Sequence, residues 1–234
     1  EQTSIDGIRL AFHKKDIDKA FEIAYKIKEL GYKLYFQPMV TKNYKDIEFL
    51  SIIEKTNKLN PYAFYIVDSF GSMTLDEFHK YLVLAQNNLN DSISLGYHSH
   101  NNMQLAFSNA ISMCSQNFKR EIIIDSSIYG IGRGAGNLNT ELIADYLNNT
   151  REKYYDTLPL LDIIDELLAS LMAKNSWGFS PAQFLSASYN CHPNYSSYLV
   201  NKNTNHIVGI KKILDKLPEE NKILFNKELI EKLY

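Results

Sequence analysis

The chain has 234 residues, of which 45% are hydrophobic and 22% charged, so it is long enough to bury one large core. Its formal net charge is -2, and it lacks the long Lys or Arg runs that binding to nucleic acid or an anionic membrane needs. Only Cys114 and Cys191 are present, far apart in the sequence and outside any CxxC spacing, so neither a disulfide framework nor a zinc ribbon is predicted. No apolar run approaches the roughly 20 residues that span a bilayer, and no signal-peptide pattern is present, so we expect a cytoplasmic protein.

The first 126 residues alternate between short apolar runs and longer amphipathic runs. Each strand with its following helix takes roughly 30 residues, the size of one βα unit. The alternation therefore predicts a parallel α/β sheet, either open and doubly wound or closed into a barrel. The apolar runs predict strands at residues 5–12, 33–39, 63–69, 93–102 and 121–126. The amphipathic runs predict helices at residues 17–30, 44–59, 74–89 and 103–114.

Local signals mark the ends of two of these helices. Asp16 stands where an N-cap is expected before the first helix. Gly31 stands where a left-handed C-terminal cap is expected after it. Thr74 and Glu77 have the spacing of a capping box, which predicts the start of the third helix.

Polar side chains collect where the predicted strands end. In parallel α/β folds the functional residues lie at the carboxyl ends of the strands, although helix caps account for part of this pattern. Arg9 lies within the first strand, on the same face as His13, and an Arg inside a barrel would need a carboxylate partner. The residues at strand ends are His13, Gln37, Asp68, Ser69, His98, His100 and either Asp125 or Ser126.

His98 and His100 end the fourth predicted strand with one residue between them. Side chains alternate between faces along a strand, so both imidazoles project to one side, about 6 to 7 Å apart. Two neutral imidazoles at this spacing can hold one divalent metal ion. On spacing alone, strand-end histidines without a ligand explain the pattern equally well. Asn102 would orient a histidine or cap the next helix.

A glycine-rich loop at residues 129–137 follows the fifth strand and leads into a helix predicted at residues 140–147. Such a loop can bring backbone amides close to a ligand. Gly130, Gly132 and Ala135 formally satisfy the dinucleotide-binding fingerprint. That fingerprint belongs at the first βα turn, with a further strand after it, so we do not predict a dinucleotide site.

The alternating pattern stops after the glycine loop. From Tyr155 onward the sequence is helical, with the last helices predicted at residues 207–217 and 227–233. We therefore predict an α/β part at residues 1–150 and a helical extension at residues 151–234.

Three short motifs resemble those of one enzyme family. Residues 96–102, G-Y-H-S-H-N-N, resemble the G-x-H-x-H-N-N signature of 4-hydroxy-2-oxovalerate aldolases. Residues 67–71, V-D-S-F-G, look like that family's D-S-x-G strand end, and residues 132–137, G-R-G-A-G-N, look like its glycine loop. The resemblance runs to about Leu147, with a weaker echo at residues 195–198. These aldolases belong to the DRE-TIM metal-dependent lyase superfamily, with HMG-CoA lyase and isopropylmalate synthase.

The resemblance implies a TIM barrel whose seventh strand carries the two histidines. The chain then holds strands 4 to 8 of the barrel and a C-terminal helical annex. The first three βα units, on the order of 90 residues, would precede Glu1 or come from a partner. The family's first strand carries an Arg-Asp pair, in which Asp is a metal ligand, and a His near it serves as the base. None of the three has a counterpart here.

The resemblance also implies a metal-dependent aldolase that cleaves or forms a 4-hydroxy-2-oxo acid, with pyruvate and an aldehyde as products. A mixed nitrogen and oxygen ligand set suits Mn2+, with Mg2+ or Co2+ as alternatives. Structural roles explain Asn137 and Asp68 equally well, as a turn residue and a loop-fixing residue. The predicted metal ligands are His98, His100 and Asn137, the catalytic residues are Tyr195 and His13, and the substrate-binding residues are Asp68, Ser69 and Gln37.

Two other functions stay open. Acyl-CoA-dependent condensing enzymes related to isopropylmalate synthase usually follow H-x-H with Asn-Asp, whereas this chain has Asn101-Asn102. A catalytically incomplete metal-binding or scaffold domain suits a chain without the first-strand acid and base. The expected partners are a small 2-oxo acid, the missing N-terminal barrel segment, and a second copy or an aldehyde dehydrogenase. Neither nucleic acid nor a membrane is expected.

Overall fold

The computed structural model divides the chain into two compact units. The predicted division at residue 150 is a different one and stays a prediction. The first unit contains Glu1–Ser69, Met73–His98 and Ser112–Asp125, and the second contains Phe70–Ser72, Ser99–Ile111 and Ser126–Tyr234. The structure describes residues 4–151, 154–174, 177–204 and 206–234.

The first unit is built on a parallel sheet of five strands. These are β1 (Gly7–Phe12), β2 (Lys33–Pro38), β3 (Ala63–Asp68), β4 (Ser94–Ser99) and β5 (Ile122–Ile124). They lie side by side in the order in which they occur in the sequence. All six residues of β3 are buried, because its apolar run packs on both faces. The predicted parallel α/β sheet is confirmed.

Helices cover one face of this sheet. The helices are α1 (Ile17–Glu29), α2 (Asp46–Leu59) and α3 (Leu75–Asn88), each following a strand. A fourth helix, α4 (Ala106–Cys114), follows β4, and most of its residues belong to the second unit. Aromatic side chains fill the layer between strands and helices. The ring centroids of three such pairs are close: Phe36 and Phe21 at 4.9 Å, Phe64 and Phe49 at 5.8 Å, and Tyr97 and Phe78 at 4.6 Å. The opposite face of the sheet carries a smaller cluster of Ala63, Tyr65 and Val67.

The helix ends follow the sequence signals with one exception. Thr74 and Glu77 form the predicted capping box, in which the Thr74 side chain accepts from the Glu77 N–H at 3.3 Å. Gly31 has a φ of 84°, as the left-handed cap requires. Asp16 occupies the N-cap position of α1, but among the described residues its side chain accepts no capping hydrogen bond.

The sheet is strongly curved, and one ion pair demonstrates it. Strands β1 and β5 are the two edges of the sheet. Four inter-strand steps would separate them by about 19 Å in a flat sheet. Yet Arg9 of β1 and Asp125, just after β5, form an ion pair at 2.7 Å. The sheet therefore bends toward the face that carries Arg9, which is the curvature of a barrel wall.

The second unit is helical, as predicted from Tyr155 onward. Buried Tyr195, Leu199, Ile210 and Leu214 lie in its main apolar cluster. None of the helices in the described parts of the chain is long and apolar enough to cross a membrane. After α4 the helices are α5 (Thr140–Thr150), α6 (Leu158–Ile163), a π-helical turn at Ile164–Leu168, α7 (Ala169–Lys174), α8 (Pro181–Ser188), α9 (Asn194–Asn201), α10 (Ile207–Leu214) and α11 (Lys227–Leu233).

Candidate active site

His98 lies near the carboxyl end of β4 and contacts a carboxylate. Its Nδ1 lies 3.0 Å from Oδ2 of Asp125. A carboxylate accepts a hydrogen bond and cannot donate one, so Nδ1 carries the proton in the neutral ring and the lone pair is on Nε2. Histidines that bind metals are oriented in this way, because the second nitrogen is fixed by an outer carboxylate.

Asp125 is itself held by Arg9. The guanidinium contacts both carboxylate oxygens, at 2.7 and 3.0 Å, which is the bidentate geometry that favours Arg over Lys. The expectation that Arg9 needs a carboxylate partner is thus confirmed. The Tyr65 hydroxyl donates to the same carboxylate at 3.4 Å. Burial, and secondly the charge of Asp125, raise the pKa of Tyr65, so it stays a neutral donor.

Gly96 makes room for this arrangement. A Cβ atom at residue 96 would lie 2.5 Å from the Tyr65 ring, closer than real contacts allow. The glycine of the histidine motif is therefore required by the close approach of an aromatic ring from β3.

His100 in the second unit is held by backbone. Its Nδ1 lies 3.2 Å from the carbonyl oxygen of Arg133 in the glycine loop, so here too the Nδ1 proton is donated to an oxygen. The residue also forms an isolated antiparallel bridge with Asn137. Both predicted histidine ligands thus have the tautomer that places the lone pair on Nε2.

Asn137 has a side chain suited to a cation. Its Nδ2 donates to the carbonyl of Ile131 at 3.0 Å. Its Oδ1 is buried and accepts no hydrogen bond from any described residue. A Cβ at residue 132 would lie 2.5 Å from Asn137 Nδ2, so Gly132 is needed for this conformation. An unsatisfied carbonyl oxygen is a hard ligand of the kind that Mn2+ and Mg2+ accept.

The donor types fit a divalent metal ion. His100 and Asn137 in the second unit offer one imidazole nitrogen and one amide oxygen, and His98 in the first unit offers a second imidazole nitrogen. In the described part of the chain, no group of three His, Cys, Asp or Glu side chains is arranged to hold a metal ion. The predicted set has only two such side chains and takes its third donor from an amide oxygen, and it stays a prediction.

The family model for HMGL-like proteins matches residues 9–165, which is more than half of the chain. The chain belongs to the HMGL-like family. This confirms the resemblance that the histidine, D-S-x-G and glycine-loop motifs indicate.

The HMGL-like chain is similar to several aldolases. A 4-hydroxy-2-oxovalerate aldolase from Bacillus thuringiensis is 27% identical over 169 residues, which cover 70% of this chain and 47% of the relative. One from Thermomicrobium roseum is 34% identical over 109 residues, covering 46% and 29%. The chain thus spans about half the length or less of the curated relatives it matches.

Solved structures extend the comparison to the fold. The N-terminal domain of a candidate aldolase from Bacteroides vulgatus has a TM-score of 0.76 and 31% identity, over 87% of this chain and 66% of that one. The carboxyl transferase domain of Rhizobium etli pyruvate carboxylase has a TM-score of 0.73 at 10% identity, over 98% and 41%. HMG-CoA lyase from Brucella melitensis has a TM-score of 0.53 at 15% identity, over 62% and 59%. These neighbours are TIM-barrel enzymes, and the predicted partial-barrel fold class is confirmed.

Gln37 of this HMGL-like chain has the environment of a binding residue. It lies near the end of β2, two residues after Tyr35, and so on the face that carries Arg9. Its side chain is only 3% exposed, and its Nε2 donates to no acceptor among the described residues. A buried donor of this kind is costly unless an acceptor satisfies it. Its role in substrate binding stays a prediction.

Asp68 and Ser69 hold loops at the end of β3. The Asp68 carboxylate accepts from the backbone N–H of Met73 at 3.0 Å. The Ser69 hydroxyl accepts from the backbone N–H of Val40 at 2.9 Å. Both side chains are buried and connect β3 to neighbouring backbone. These contacts support the loop-fixing alternative for both, while substrate binding stays untested.

The predicted catalytic role of Tyr195 does not agree with its surroundings. The residue is fully buried, and its hydroxyl lies 2.8 and 2.9 Å from the carbonyls of Asn221 and Leu224. It also accepts from the backbone N–H of Asn226 at 3.0 Å. Burial raises the pKa of Tyr195, which keeps the phenol protonated. A hydroxyl enclosed by backbone groups favours a structural role for Tyr195, and its catalytic role stays a prediction.

His13 and Asn102 also occupy defined positions. His13 is half-buried just after β1, and its carbonyl accepts from the Asp16 N–H at 2.9 Å, so its catalytic role stays a prediction. Asn102 is fully buried and joins the glycine loop to α8, because it accepts from Ala135 N–H at 3.3 Å and donates to the Gln183 carbonyl at 3.2 Å. Neither predicted role for Asn102 describes this link.

Asp125 contacts His98 and Arg9, but the sequence does not identify it as a site residue. The sequence indicates it only as one of two candidates for the fifth strand end, with no role in the site. Its position at a strand end is the same signal that identified His98. Its role as the link between Arg9 and His98 depends on the curvature of the sheet, which brings Arg9 to it.

Proposed function

We propose that this chain is part of a divalent-metal-dependent aldolase that cleaves or forms a 4-hydroxy-2-oxo acid, with pyruvate and an aldehyde as the products. Membership of the HMGL-like family and similarity to named aldolases support this reaction class. The observation that carries the proposal is the orientation of the two histidines. Each donates its Nδ1 proton to an oxygen, to Asp125 or to the Arg133 carbonyl, so the lone pair of the neutral ring is on Nε2, the atom that we propose as the metal ligand.

The residues of the chain have distinct tasks in this proposal. A bound Mn2+, or Mg2+ or Co2+, would supply Lewis-acid polarisation of the substrate keto oxygen. In this proposal His98, His100 and Asn137 would hold the ion. Asp125 fixes the ring of His98, and Arg9 fixes Asp125.

Gln37 and His13 act on the substrate in this proposal. Gln37 donates its buried N–H to a substrate oxygen. Cleavage between C3 and C4 requires loss of the C4 hydroxyl proton, for which we propose His13 as the base. A small 2-oxo acid is the substrate, and cytoplasm is the proposed location.

Metal titration tests the proposal most directly. Calorimetric titration of the chain with MnCl2 should give one site per chain, and His98→Ala and His100→Ala should each weaken it by about 100-fold or more, because each removes a ligand. Pyruvate release from 4-hydroxy-2-oxopentanoate should fall in parallel. His206→Ala is the matched control, because His206 is exposed at the start of α10.

The outcomes separate the candidate functions. Full Mn2+ affinity and activity in His98→Ala would refute the metal centre. Mn2+ binding that depends on both histidines, without pyruvate release from any 4-hydroxy-2-oxo acid, would favour the metal-binding scaffold instead.

A further inference from the structure

Trp177, the only tryptophan of the chain, contacts the start of the glycine loop. Its indole Nε1–H donates to the backbone carbonyl of Tyr129 at 2.8 Å. The two rings meet edge to face, with their centroids 5.9 Å apart and their planes at 85°. Both residues belong to the second unit, and the proposed metal centre gives neither of them a task.

Tyr129 has a backbone conformation that is costly for a tyrosine. Its φ of 56° and ψ of 21° lie in the left-handed region, where a Cβ atom crowds the following carbonyl. Such a conformation persists only where the surrounding structure fixes it. Here the Tyr129 carbonyl accepts from Trp177, and its N–H donates to the Glu141 carboxylate at 3.1 Å. Two side chains from outside the loop thus hold the two polar backbone groups of this residue.

The conformation of Tyr129 sets the position of the candidate metal ligand Asn137. The backbone N–H of Asn137 donates to the carbonyl of Gly130 at 2.9 Å, and its side-chain Nδ2 donates to the carbonyl of Ile131 at 3.0 Å. Gly130 and Ile131 are the two residues after Tyr129, so a change in the dihedral angles of Tyr129 would move both acceptors. The direction of the Asn137 Oδ1 atom therefore depends on Tyr129.

Trp177 also lies beside the far end of the loop. A Cβ atom at residue 136 would lie 3.4 Å from Cδ1 of the indole, which is an ordinary contact distance. The indole ring therefore bridges the first residue of the loop and Gly136, the residue before Asn137. Contacts at both ends restrict the loop more than a single bond at its start would.

We propose that Trp177 is a positioning residue for the metal ligand Asn137. It acts through Tyr129, whose strained conformation it fixes together with Glu141, and it does not itself bind the metal. This inference rests on the proposed metal centre, because it assigns a residue that orients one of the three ligands. Trp177 is only half-buried, so replacing it with a smaller aromatic residue should affect metal binding more than folding.

Trp177→Phe tests the proposal, because it keeps an aromatic ring and removes the indole N–H. Mn2+ affinity should fall by about 10-fold in calorimetry, the lower end of the range for groups that orient a metal ligand. The urea midpoint of the metal-free chain should change little. Phe179→Leu is the matched control, since Phe179 is 59% exposed on the same segment, and it should leave Mn2+ affinity unchanged.

Glu141→Gln tests the second contact that holds Tyr129. One carboxylate oxygen of Glu141 accepts from the Tyr129 N–H, and the other accepts from the Asn139 side chain at 2.6 Å. An amide replaces one of these acceptors with a donor, so one of the two bonds is lost. Mn2+ affinity should again fall by about 10-fold.

The link to the loop can also be measured without a metal. Hydrogen exchange of the Asn137 backbone N–H, which is bonded to the Gly130 carbonyl, should be about 10-fold faster in metal-free Trp177→Phe than in the wild type. The amides of α9 in the same unit serve as the reference, and their exchange rates should be equal in the two proteins.

Thermodynamic linkage gives a further measurement on the wild-type chain. If the Trp177 bond favours metal binding, metal binding must favour the Trp177 bond by the same factor. The single indole N–H signal of the chain should therefore exchange about 10-fold more slowly with MgCl2 than without it. This measurement needs no variant, so it decides the matter even if Trp177→Phe does not fold.

The outcomes separate this inference from the aldolase proposal. Unchanged Mn2+ affinity in both Trp177→Phe and Glu141→Gln would overturn it, as would equal exchange of the Asn137 amide in Trp177→Phe and the wild type. A loss of stability in Trp177→Phe without a loss of Mn2+ affinity would overturn it too, and would make Trp177 a packing residue. Failure of the aldolase reaction alone would instead appear as an absence of pyruvate with every substrate, while Mn2+ affinity still depends on Trp177.

Discussion

The two candidate histidines are held by different kinds of partner. In the first unit, His98 bonds to the Asp125 carboxylate, which is held by the Arg9 guanidinium, so the support is a network of side chains. In the second unit, His100 bonds to a backbone carbonyl of the glycine loop that also carries Asn137. A side-chain network fails when one group is removed, whereas a backbone support fails when the loop changes shape. The orientations of His98 and His100 should therefore be sensitive to different substitutions.

The largest effect is expected from Gly136→Ala in the loop. Gly136 has a φ of 84°, and a Cβ there would lie 2.2 Å from the carbonyl oxygen of Gly130. The left-handed conformation and the clash with backbone together should lower the free energy of unfolding by roughly 3 kcal/mol in urea denaturation. Mn2+ affinity should fall too, because Asn137 follows directly.

Gly178→Ala is the matched control for the loop. Gly178 has a φ of 101°, but the nearest atom to its added Cβ is the Met172 methyl at 3.5 Å, an ordinary contact. It carries the dihedral cost of about 1 kcal/mol without the clash. If Gly136→Ala proved no more destabilising than Gly178→Ala, the tight loop geometry would be wrong.

A smaller loss of stability but a clear loss of metal is expected from Asp125→Ala. Removing the carboxylate leaves Arg9 and His98 without this partner, at a cost of about 2 kcal/mol in the free energy of unfolding. The cost stays below that of a fully buried pair, because the Arg9 side chain is 47% exposed and can be hydrated. Mn2+ affinity should fall by about 10- to 100-fold in calorimetry, since His98 loses its orientation.

Asp18→Ala provides the comparison for a carboxylate that supports no site. Its side chain is 90% exposed and pairs with Lys55 at 3.2 Å, so its removal should change stability by less than about 0.5 kcal/mol and metal affinity not at all. Equal Mn2+ affinities in Asp125→Ala and wild type would contradict the prediction that Asp125 orients His98 for metal binding.

Local signals in the sequence were enough for most of the sheet. The apolar runs predicted all five strands to within a few residues at each end. The signal is strongest for β3, because a strand buried on both faces is a continuous apolar run. The capping box of Thr74 and Glu77 was predictable for the same reason, since both partners lie within one helical turn. The motif around His98 and His100 identified the family.

Contacts between distant positions were not predictable. Arg9 was expected to need a carboxylate, but the choice of Asp125 depends on how far the sheet curves, and no local pattern records that. Arg120 was missed altogether. Its buried guanidinium donates to carbonyls after the end of α3, including those of Leu89 and Ile93, and only the folded chain brings these together. The contacts of the Tyr195 hydroxyl were not predictable either, because a short motif match says nothing about which atoms surround a hydroxyl.

Among the site residues, the smallest loss of stability is expected from Tyr195→Phe. This variant tests whether backbone groups outside the glycine loop also hold a side chain of the second unit in place. The hydroxyl bonds to the carbonyls of Asn221 and Leu224 and to the Asn226 N–H, so its loss should lower the free energy of unfolding by about 1 kcal/mol. Tyr198→Phe is the control in the same helix, because its hydroxyl bonds to Glu231 at the exposed surface and should contribute less. Pyruvate release per folded molecule should not change in either variant. A loss of turnover in Tyr195→Phe at wild-type stability would reverse the structural assignment, and it would require the buried phenol to reach the substrate through a rearrangement of α9.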